Sequence, residues 1–226
     1  MEVIVDIKEA IEKRHSVRKY SDKPIEENLI EELKKEIEAC NTESGLNIQL
    51  VTNEPKAFGG AMAHYGKFSG VSNYLAMIGK KDKFLDEKVG YYGERLVLKA
   101  QQLGLNTCWV ALTYKKVPEA FTINKGEKLL LVISVGYGEN QGNSRKSKKP
   151  EEVSNISADS PEWFKQGIEV ALLAPTAMNQ QRFYFSNENG KVSAKAKLGF
   201  YTKVDLGIAK YHFEIGAGKD CFEWKK

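Results

Sequence analysis

The sequence contains few of the residues that bind metals or form disulfides. Only three Cys and three His occur among 226 residues, and the cysteines lie far apart with no C-x-x-C spacing. These counts argue against a metal site and against a disulfide-stapled secreted fold, and they favour a reducing, cytoplasmic location. Cys108, beside Trp109, has no assignable His partner, so we expect a buried small residue there rather than a nucleophile.

Long apolar runs and a strong charge of either sign are also missing. No stretch approaches the roughly 20 apolar residues of a membrane span, and the first residues lack the pattern of a signal peptide. The net charge of +4, from 34 basic and 30 acidic residues, is too small to indicate nucleic acid, although it mildly favours anionic ligands such as phosphates. We therefore expect neither a membrane nor a nucleic acid as partner.

The chain has enough apolar residues to form a core without disulfides or metal. Its hydrophobic fraction of 42% is ordinary for globular proteins, and a chain of this length should bury about 70% of its unfolded surface. Apolar spacing and capping residues predict both helices and strands. The predicted helices run from Asp6, with Glu9 as capping-box partner, towards residue 14, from Ile25 to Ile37, and from Tyr91 to Leu103; the predicted strands are 47–52, 73–79 and 128–135.

The remaining third of the chain reads as a shortened copy of the first part. A polar, basic stretch from Glu139 to Ser154 predicts a crossing linker. A helix from Trp163 to Ala174, a strand 182–187 and a helix 206–215 follow, and Gly216 then mirrors Gly104. An internal duplication and a chance recurrence of helix–loop–strand units both remain open. We predict a first half 1–138, a linker 139–160 and a shorter second half 161–226.

Residues 14–18 read Arg-His-Ser-Val-Arg and offer two guanidiniums and a hydroxyl within five positions. If the segment is helical, Arg14 and Arg18 share a face, and together with Ser16 they suit a phosphate monoester. His15 is more readily a packing or phosphate-side residue than a general base. The alternative is a solvated basic patch beside a helix end.

Residues 174–181 read Ala-Pro-Thr-Ala-Met-Asn-Gln-Gln, between a predicted helix and a predicted strand. Pro175 should end the helix, and the short polar residues after it should turn with exposed backbone groups. Amide and hydroxyl side chains in such a loop suit the edge of a heteroaromatic ring. The alternative is an ordinary helix-to-strand connection.

Together with Gly-Leu-Asn-Thr-Cys-Trp at 104–109, these two segments resemble the FMN-binding segments of the nitroreductase-like flavoenzymes. Those usually read R-x-S-x-R, G-L-G-T-C-W and A-P-S-x-x-N-x-Q, so Asn106 stands where a second Gly is usual. Residues 131–138 resemble the strand and turn that close the family's core, and Arg145 falls where relatives place a further phosphate-binding Arg. The resemblance implies an α+β fold with a central, mostly antiparallel sheet flanked by helices, here as two repeated halves in one chain.

The resemblance also implies an FMN-dependent oxidoreductase. NAD(P)H would pass hydride to flavin N5, and a nitroaromatic, quinone or similar small-molecule acceptor would then take the electrons, without a catalytic acid or base from the protein. Binding FMN without turnover, as a store or sensor, is one alternative, and an α/β interaction module with a chance basic patch is another. The residues implied in cofactor binding are Arg14, His15, Ser16, Arg18, Asn106, Thr107, Arg145, Pro175, Thr176, Met178 and Asn179.

In ordinary members of this family two subunits form a dimer, with the arginines from one subunit and the Pro-Ser loop from the other around each flavin. Here one chain carries both segments, at opposite ends. Residues 41–45 stand where the first half should have its Pro-Ser loop, and the second half has no R-x-S-x-R. The resemblance therefore implies a tandem duplication in which a monomer acts as a pseudo-dimer and binds one FMN.

Overall fold

The computed structural model describes residues 6–225, which divide into two compact units. The first unit comprises residues up to 85 together with 95–144, and the second comprises 86–94 together with 145 onwards. One helix, Leu85–Gln102, begins earlier than the predicted Tyr91 and contributes residues to both units. The predicted division of the chain at residues 138 and 161 remains a prediction.

The first unit is built on a four-stranded antiparallel sheet. Its elements are α1 (Ile7–Lys13), α2 (Glu27–Ser44), β1 (Gln49–Val51), α3 (Ala61–Tyr65), β2 (Tyr74–Lys80), the second half of α4 (Leu85–Gln102), β3 (Asn106–Val110) and β4 (Glu127–Gly136). The strands are ordered β1-β2-β4-β3. Leu75 of β2 and Ile133 of β4 pair across the sheet and are fully buried. Burial of both faces explains why these central strands are apolar without alternation.

Local sequence sets the ends of the helices in the first unit. Asp6 caps α1 as predicted, because its carboxylate accepts a hydrogen bond from the backbone N–H of Lys8. Glu9, predicted to complete a capping box, instead pairs with Lys13, with 2.5 Å between Oε1 and Nζ. Gly104 follows α4 with a left-handed φ of 75°, so the predicted helix stop is confirmed.

The second unit combines a small sheet with two packed helices. Its elements, besides the first half of α4, are α5 (Pro150–Val153), α6 (Glu162–Ala171), β5 (Phe183–Glu188), β6 (Lys191–Ala196), α7 (Thr202–Ala217) and β7 (Glu223–Trp224). β5 and β6 pair antiparallel, and β7 pairs parallel with β6. The core is aromatic: Phe185 stacks on Phe213 with 4.9 Å between ring centroids, and Phe164 meets the same ring edge-on. A Cβ on Gly167 would lie 2.6 Å from Phe213, so glycine permits this packing.

Two details of this region differ from the sequence prediction. The predicted linker 139–160 contains α5, and its Ser154 pairs with Phe185 in an isolated bridge, so backbone pairing builds part of it into the second unit despite its polar composition. Helix α7 continues past Gly216, and Gly218, with φ of 80°, follows its end instead. The predicted equivalence of Gly216 and Gly104 as helix stops is therefore wrong.

Candidate functional site

The arginine segment, residues 14–18, lies in the first unit and is extended rather than helical. Helix α1 ends at Lys13, so the helical arrangement in which the two arginines would share a face is not formed. The backbone instead bonds to distant residues: Val17 donates its N–H to the carbonyl of Thr107 at 3.0 Å, and the carbonyl of Arg18 accepts the N–H of Ser69 at 3.0 Å. The first bond holds the segment against β3, and the second holds its end against the loop before β2.

The arginine segment lies near the buried thiol of Cys108. Cys108 is 2% exposed, as predicted for a buried small residue. Burial raises the pKa of the Cys108 thiol, while the charge of Arg18, a hydrogen bond from Ser16 and the charge of Arg14 oppose that rise. Arg14 is itself 3% exposed, whereas Arg18 lies at the surface with its guanidinium 5.8 Å from the ring centroid of Phe68.

A tight turn packs against the same segment. Gly142 has a left-handed φ of 74°, and a Cβ there would lie 2.6 Å from the Cβ of His15, so only glycine fits. The side chain of Asn106 holds this turn: its Oδ1 accepts the N–H of Gly138 at 2.9 Å, and its Nδ2 donates to Gln141 at 3.0 Å. The Nδ1 of His15 lies 3.0 Å from a carbonyl of its own chain segment, that of Lys13.

The Pro-Thr loop, residues 174–181, lies in the second unit and is conformationally strained. Helix α6 ends at Ala171, three residues before the predicted end. Three non-glycine residues of the loop have left-handed backbones, with φ of 52° at Met178, 54° at Asn179 and 43° at Gln181. Pro175 is buried, whereas Met178 is 95% exposed. The structure thus presents an apolar side chain to the surface from a strained backbone.

Hydrogen bonds within the second unit hold the ends of this loop. The hydroxyl of Thr176 accepts the N–H of Gln181 at 3.1 Å, and the Gln181 amide donates to the carbonyl of Leu172 at 2.9 Å. Asn179 donates its side-chain amide to the carbonyl of Lys146 at 2.8 Å. The polar side chains of Thr176 and Asn179 therefore take part in shaping the loop.

Arg145, also in the second unit, lies at the end of α6. Its guanidinium donates hydrogen bonds to the carbonyls of Leu173 and Ala174, the latter at 2.8 Å. These carbonyls follow the last turn of the helix, where a cation is favourably placed. Its predicted role in phosphate binding remains a prediction.

Asp205 of α7 is a residue that sequence reasoning missed. It is 2% exposed, and both its oxygens accept hydrogen bonds from the Pro-Thr loop: Oδ1 from the N–H of Ala177 at 2.9 Å, and Oδ2 from the amide of Gln180 at 2.7 Å. Burial raises the pKa of Asp205 to about 6, against the lowering effect of these two bonds. A lone acidic residue within the apolar run 204–209 was the sequence signal available.

Each unit thus gathers its own subset of the predicted site residues. The first unit brings together Arg14, His15, Ser16, Arg18, Asn106 and Thr107, and the second contains Arg145, Pro175, Thr176, Met178 and Asn179. Within residues 6–225, no three or more His, Cys, Asp or Glu side chains are grouped to hold a metal ion. Over the same range, the helices are too short or too polar to cross a membrane.

Comparisons with known proteins cover most of the chain. A family model described as "Putative TM nitroreductase" matches residues 6–217. A solved nitroreductase from Thermotoga maritima has a TM-score of 0.73 at 21% identity, with 97% of this chain and 87% of that chain covered. A nitroreductase family protein from Streptococcus pneumoniae has a TM-score of 0.53 at 16% identity, covering 66% and 98%. An NADH dehydrogenase/NAD(P)H nitroreductase from Parabacteroides distasonis has a TM-score of 0.52 at 21% identity, covering 68% and 98%.

No curated protein matches the chain by sequence. At the identities of the solved structures the likeness shows a shared fold. The predicted α+β nitroreductase-like fold, with a central antiparallel sheet flanked by helices, is therefore confirmed. The repetition of the two halves remains a prediction.

Proposed function

Because this chain belongs to the TM nitroreductase family, a family of nitroreductase-like oxidoreductases, we propose that it binds FMN and passes electrons from NAD(P)H to a nitroaromatic, quinone or similar acceptor. Bound flavin would supply hydride acceptance and donation at N5, while the protein supplies binding, orientation and electrostatics. The name of the Parabacteroides distasonis neighbour, an NAD(P)H nitroreductase, supports the choice of electron donor.

The observation that carries this proposal is that Arg14, Ser16 and Arg18 lie within five residues on one extended segment, whose Ser16 pairs with Thr107 in a backbone bridge. Two guanidiniums and one hydroxyl are the donor types that a phosphate dianion requires. Backbone bonds to Thr107 and Ser69 hold the segment that carries these donors. The residues present therefore fit the phosphate end of FMN.

The Pro-Thr loop, considered within its own unit, carries groups that suit a flavin ring. Strained backbones of non-glycine residues cluster at ligand sites, where the surrounding structure holds them. Met178 and Asn179 have such backbones, and the exposed thioether of Met178 offers apolar, polarisable surface to a planar ring. Buried Pro175 and the bond from the N–H of Gln181 to Thr176 limit the motion of this surface.

We also propose that the two units descend from one duplicated unit and that each monomer binds a single FMN. The order α2-β1-β2-α4, with the short helix α3 inserted between β1 and β2, resembles the order α6-β5-β6-α7, and the two strands pair antiparallel each time. Residues 41–45, which stand where the resemblance places the Pro-Ser loop of the first half, form the last turn of α2 and its cap, Gly45. The Streptococcus pneumoniae neighbour aligns over 98% of its length but only 66% of this chain, which leaves room for an added partial copy.

The visible spectrum of purified protein tests this function. We expect a yellow protein with one FMN per monomer, bleached by anaerobic NADH or NADPH and reoxidised by a nitroaromatic or quinone. A yellow protein that neither nucleotide bleaches would instead indicate FMN binding without turnover. A colourless protein that takes up no added FMN would refute the proposal, and a flavin-to-chain ratio near two or an obligate dimer would refute the single-site arrangement.

Variants of the arginine segment test the phosphate assignment. Arg14→Ala and Arg18→Ala should each raise the Kd for FMN about tenfold or more, because each removes charge-assisted hydrogen bonds. Lys19→Ala is the matched control, since Lys19 is an exposed cation beside the segment. Equal effects of all three substitutions would show that only general charge matters, and would contradict the assignment.

A further inference from the structure

Asp205 occupies a position where an acidic residue is unfavourable for folding. It is 2% exposed, and its neighbours Val204 and Leu206 on α7 are buried as well. A carboxylate taken out of water is costly unless hydrogen bonds replace its hydration. Both replacement bonds come from the Pro-Thr loop, through the N–H of Ala177 and the side-chain amide of Gln180. The carboxylate therefore accepts its hydrogen bonds from the Pro-Thr loop and not from its own helix.

The two bonds flank two of the three left-handed residues of the loop. Ala177 and Gln180 lie directly before and after Met178 and Asn179, which have φ of 52° and 54°. Left-handed backbones of this kind cost on the order of 1 kcal/mol or more each, and they persist only where other contacts hold them. Asp205 fastens the chain on both sides of these two residues, so it opposes their relaxation.

The chemistry of a carboxylate suits this task better than that of an amide. An ionised carboxylate only accepts hydrogen bonds, and here two N–H donors face its two oxygens. Gln180 also donates to the carbonyl of Phe200 at 2.6 Å, so the orientation of its amide is fixed from a second side. An Asn at position 205 would direct one N–H towards the amide nitrogen of Gln180.

We propose that Asp205 is a positioning residue, which holds the Pro-Thr loop in the conformation that receives the flavin ring. This inference rests on the proposed function, because it assigns a purpose to the loop in FMN binding. Asp205 touches neither the ring nor an acceptor in this assignment. It acts through Ala177 and Gln180.

The test combines amide hydrogen exchange of FMN-free protein with FMN titration. In Asp205→Ala, the Ala177 amide should exchange about tenfold faster, and the Kd for FMN should rise about tenfold, because the loop loses both anchors. Asp205→Asn should largely restore protection of the Ala177 amide, since its carbonyl oxygen can still accept that bond, and should give an intermediate Kd. Asp220→Asn, at an exposed Asp of the same unit, should change neither quantity.

Gln180→Met provides a second variant that leaves the carboxylate in place. It removes the donor to Oδ2 of Asp205 at nearly constant side-chain length, and should also weaken FMN binding. If the wild type binds no FMN, the proposed function fails, whereas unchanged exchange of Ala177 in Asp205→Ala overturns the positioning role by itself. Faster exchange with unchanged FMN affinity in both variants would overturn the link between the loop and the flavin.

Discussion

The buried carboxylate of Asp205 should make the stability of the second unit depend on pH. Burial raises its pKa to about 6 in the native state, from about 3.8 in the unfolded chain. The native state therefore binds the proton more tightly, so the contribution to the free energy of unfolding is complete below about pH 4 and is lost as the pH rises through about 6. Since each pKa unit corresponds to about 1.4 kcal/mol, the loss amounts to about 3 kcal/mol.

Asp205→Asn isolates this contribution, because an amide does not titrate. We expect the unfolding free energy of the wild type, relative to that of the variant, to fall by about 3 kcal/mol between about pH 4 and about pH 7.5. Urea unfolding at a series of pH values measures it. Trp163 and Trp224 report on the second unit, and Trp109→Phe removes the signal of the first. All other titrating groups are common to both proteins and cancel.

Two outcomes would refute this reasoning. Parallel stability curves for the wild type and Asp205→Asn would mean that Asp205 titrates alike in the folded and unfolded states. A wild type that gains stability relative to the variant as the pH rises would mean that the bonds from Ala177 and Gln180 outweigh burial. In either case, burying the ionised carboxylate of Asp205 would not lower the free energy of unfolding.

Two further predictions concern buried polar side chains. Ellman's reagent near pH 8 should modify the exposed thiol of Cys221 quickly, and the thiols of Cys40 and Cys108 only on unfolding. The reason is that burial raises the pKa of Cys40 to about 12 and also raises the pKa of Cys108. More than one fast-reacting thiol in the folded protein would contradict this prediction. Glu94→Leu should lower the free energy of unfolding by about 3 kcal/mol. The imidazole of His212 is fully buried and lies 2.9 Å from the Glu94 carboxylate, so the substitution removes its hydrogen-bond acceptor. A loss below about 1 kcal/mol, measured by urea unfolding, would count against this prediction.

Elements whose pattern is local were predictable from the sequence. The apolar run 128–135 lies within the ten-residue strand β4, and the apolar spacing of Leu29, Leu33 and Ile37 lies along the buried face of α2. The arginine segment was not predictable in this way. Its extended backbone depends on bonds to Thr107, far along the chain, and spacing within five residues cannot report such a partner.

The candidate site was predictable as segments but not as contacts. Motif resemblance selected the arginine segment and the Pro-Thr loop, and their proposed roles remain predictions. Asp205 escaped notice because its partner Ala177 lies 28 residues away and because one acidic residue in a helix ordinarily faces solvent. Helix α7 is buried on nearly all sides, so the Asp205 carboxylate faces the Pro-Thr loop rather than solvent.

The division of α4 between the two units has a consequence for biosynthesis. The second unit is formed from two separate stretches of the chain, residues 86–94 and residues 145 onwards. The first stretch therefore leaves the ribosome long before the second. Glu94 precedes its partner His212 by 118 residues, which corresponds to roughly ten seconds of translation at ordinary elongation rates. During that interval the first turns of α4 expose a face that only later chain can cover. The nascent chain should therefore be most dependent on chaperones after residue 144 has emerged and before α7 is complete.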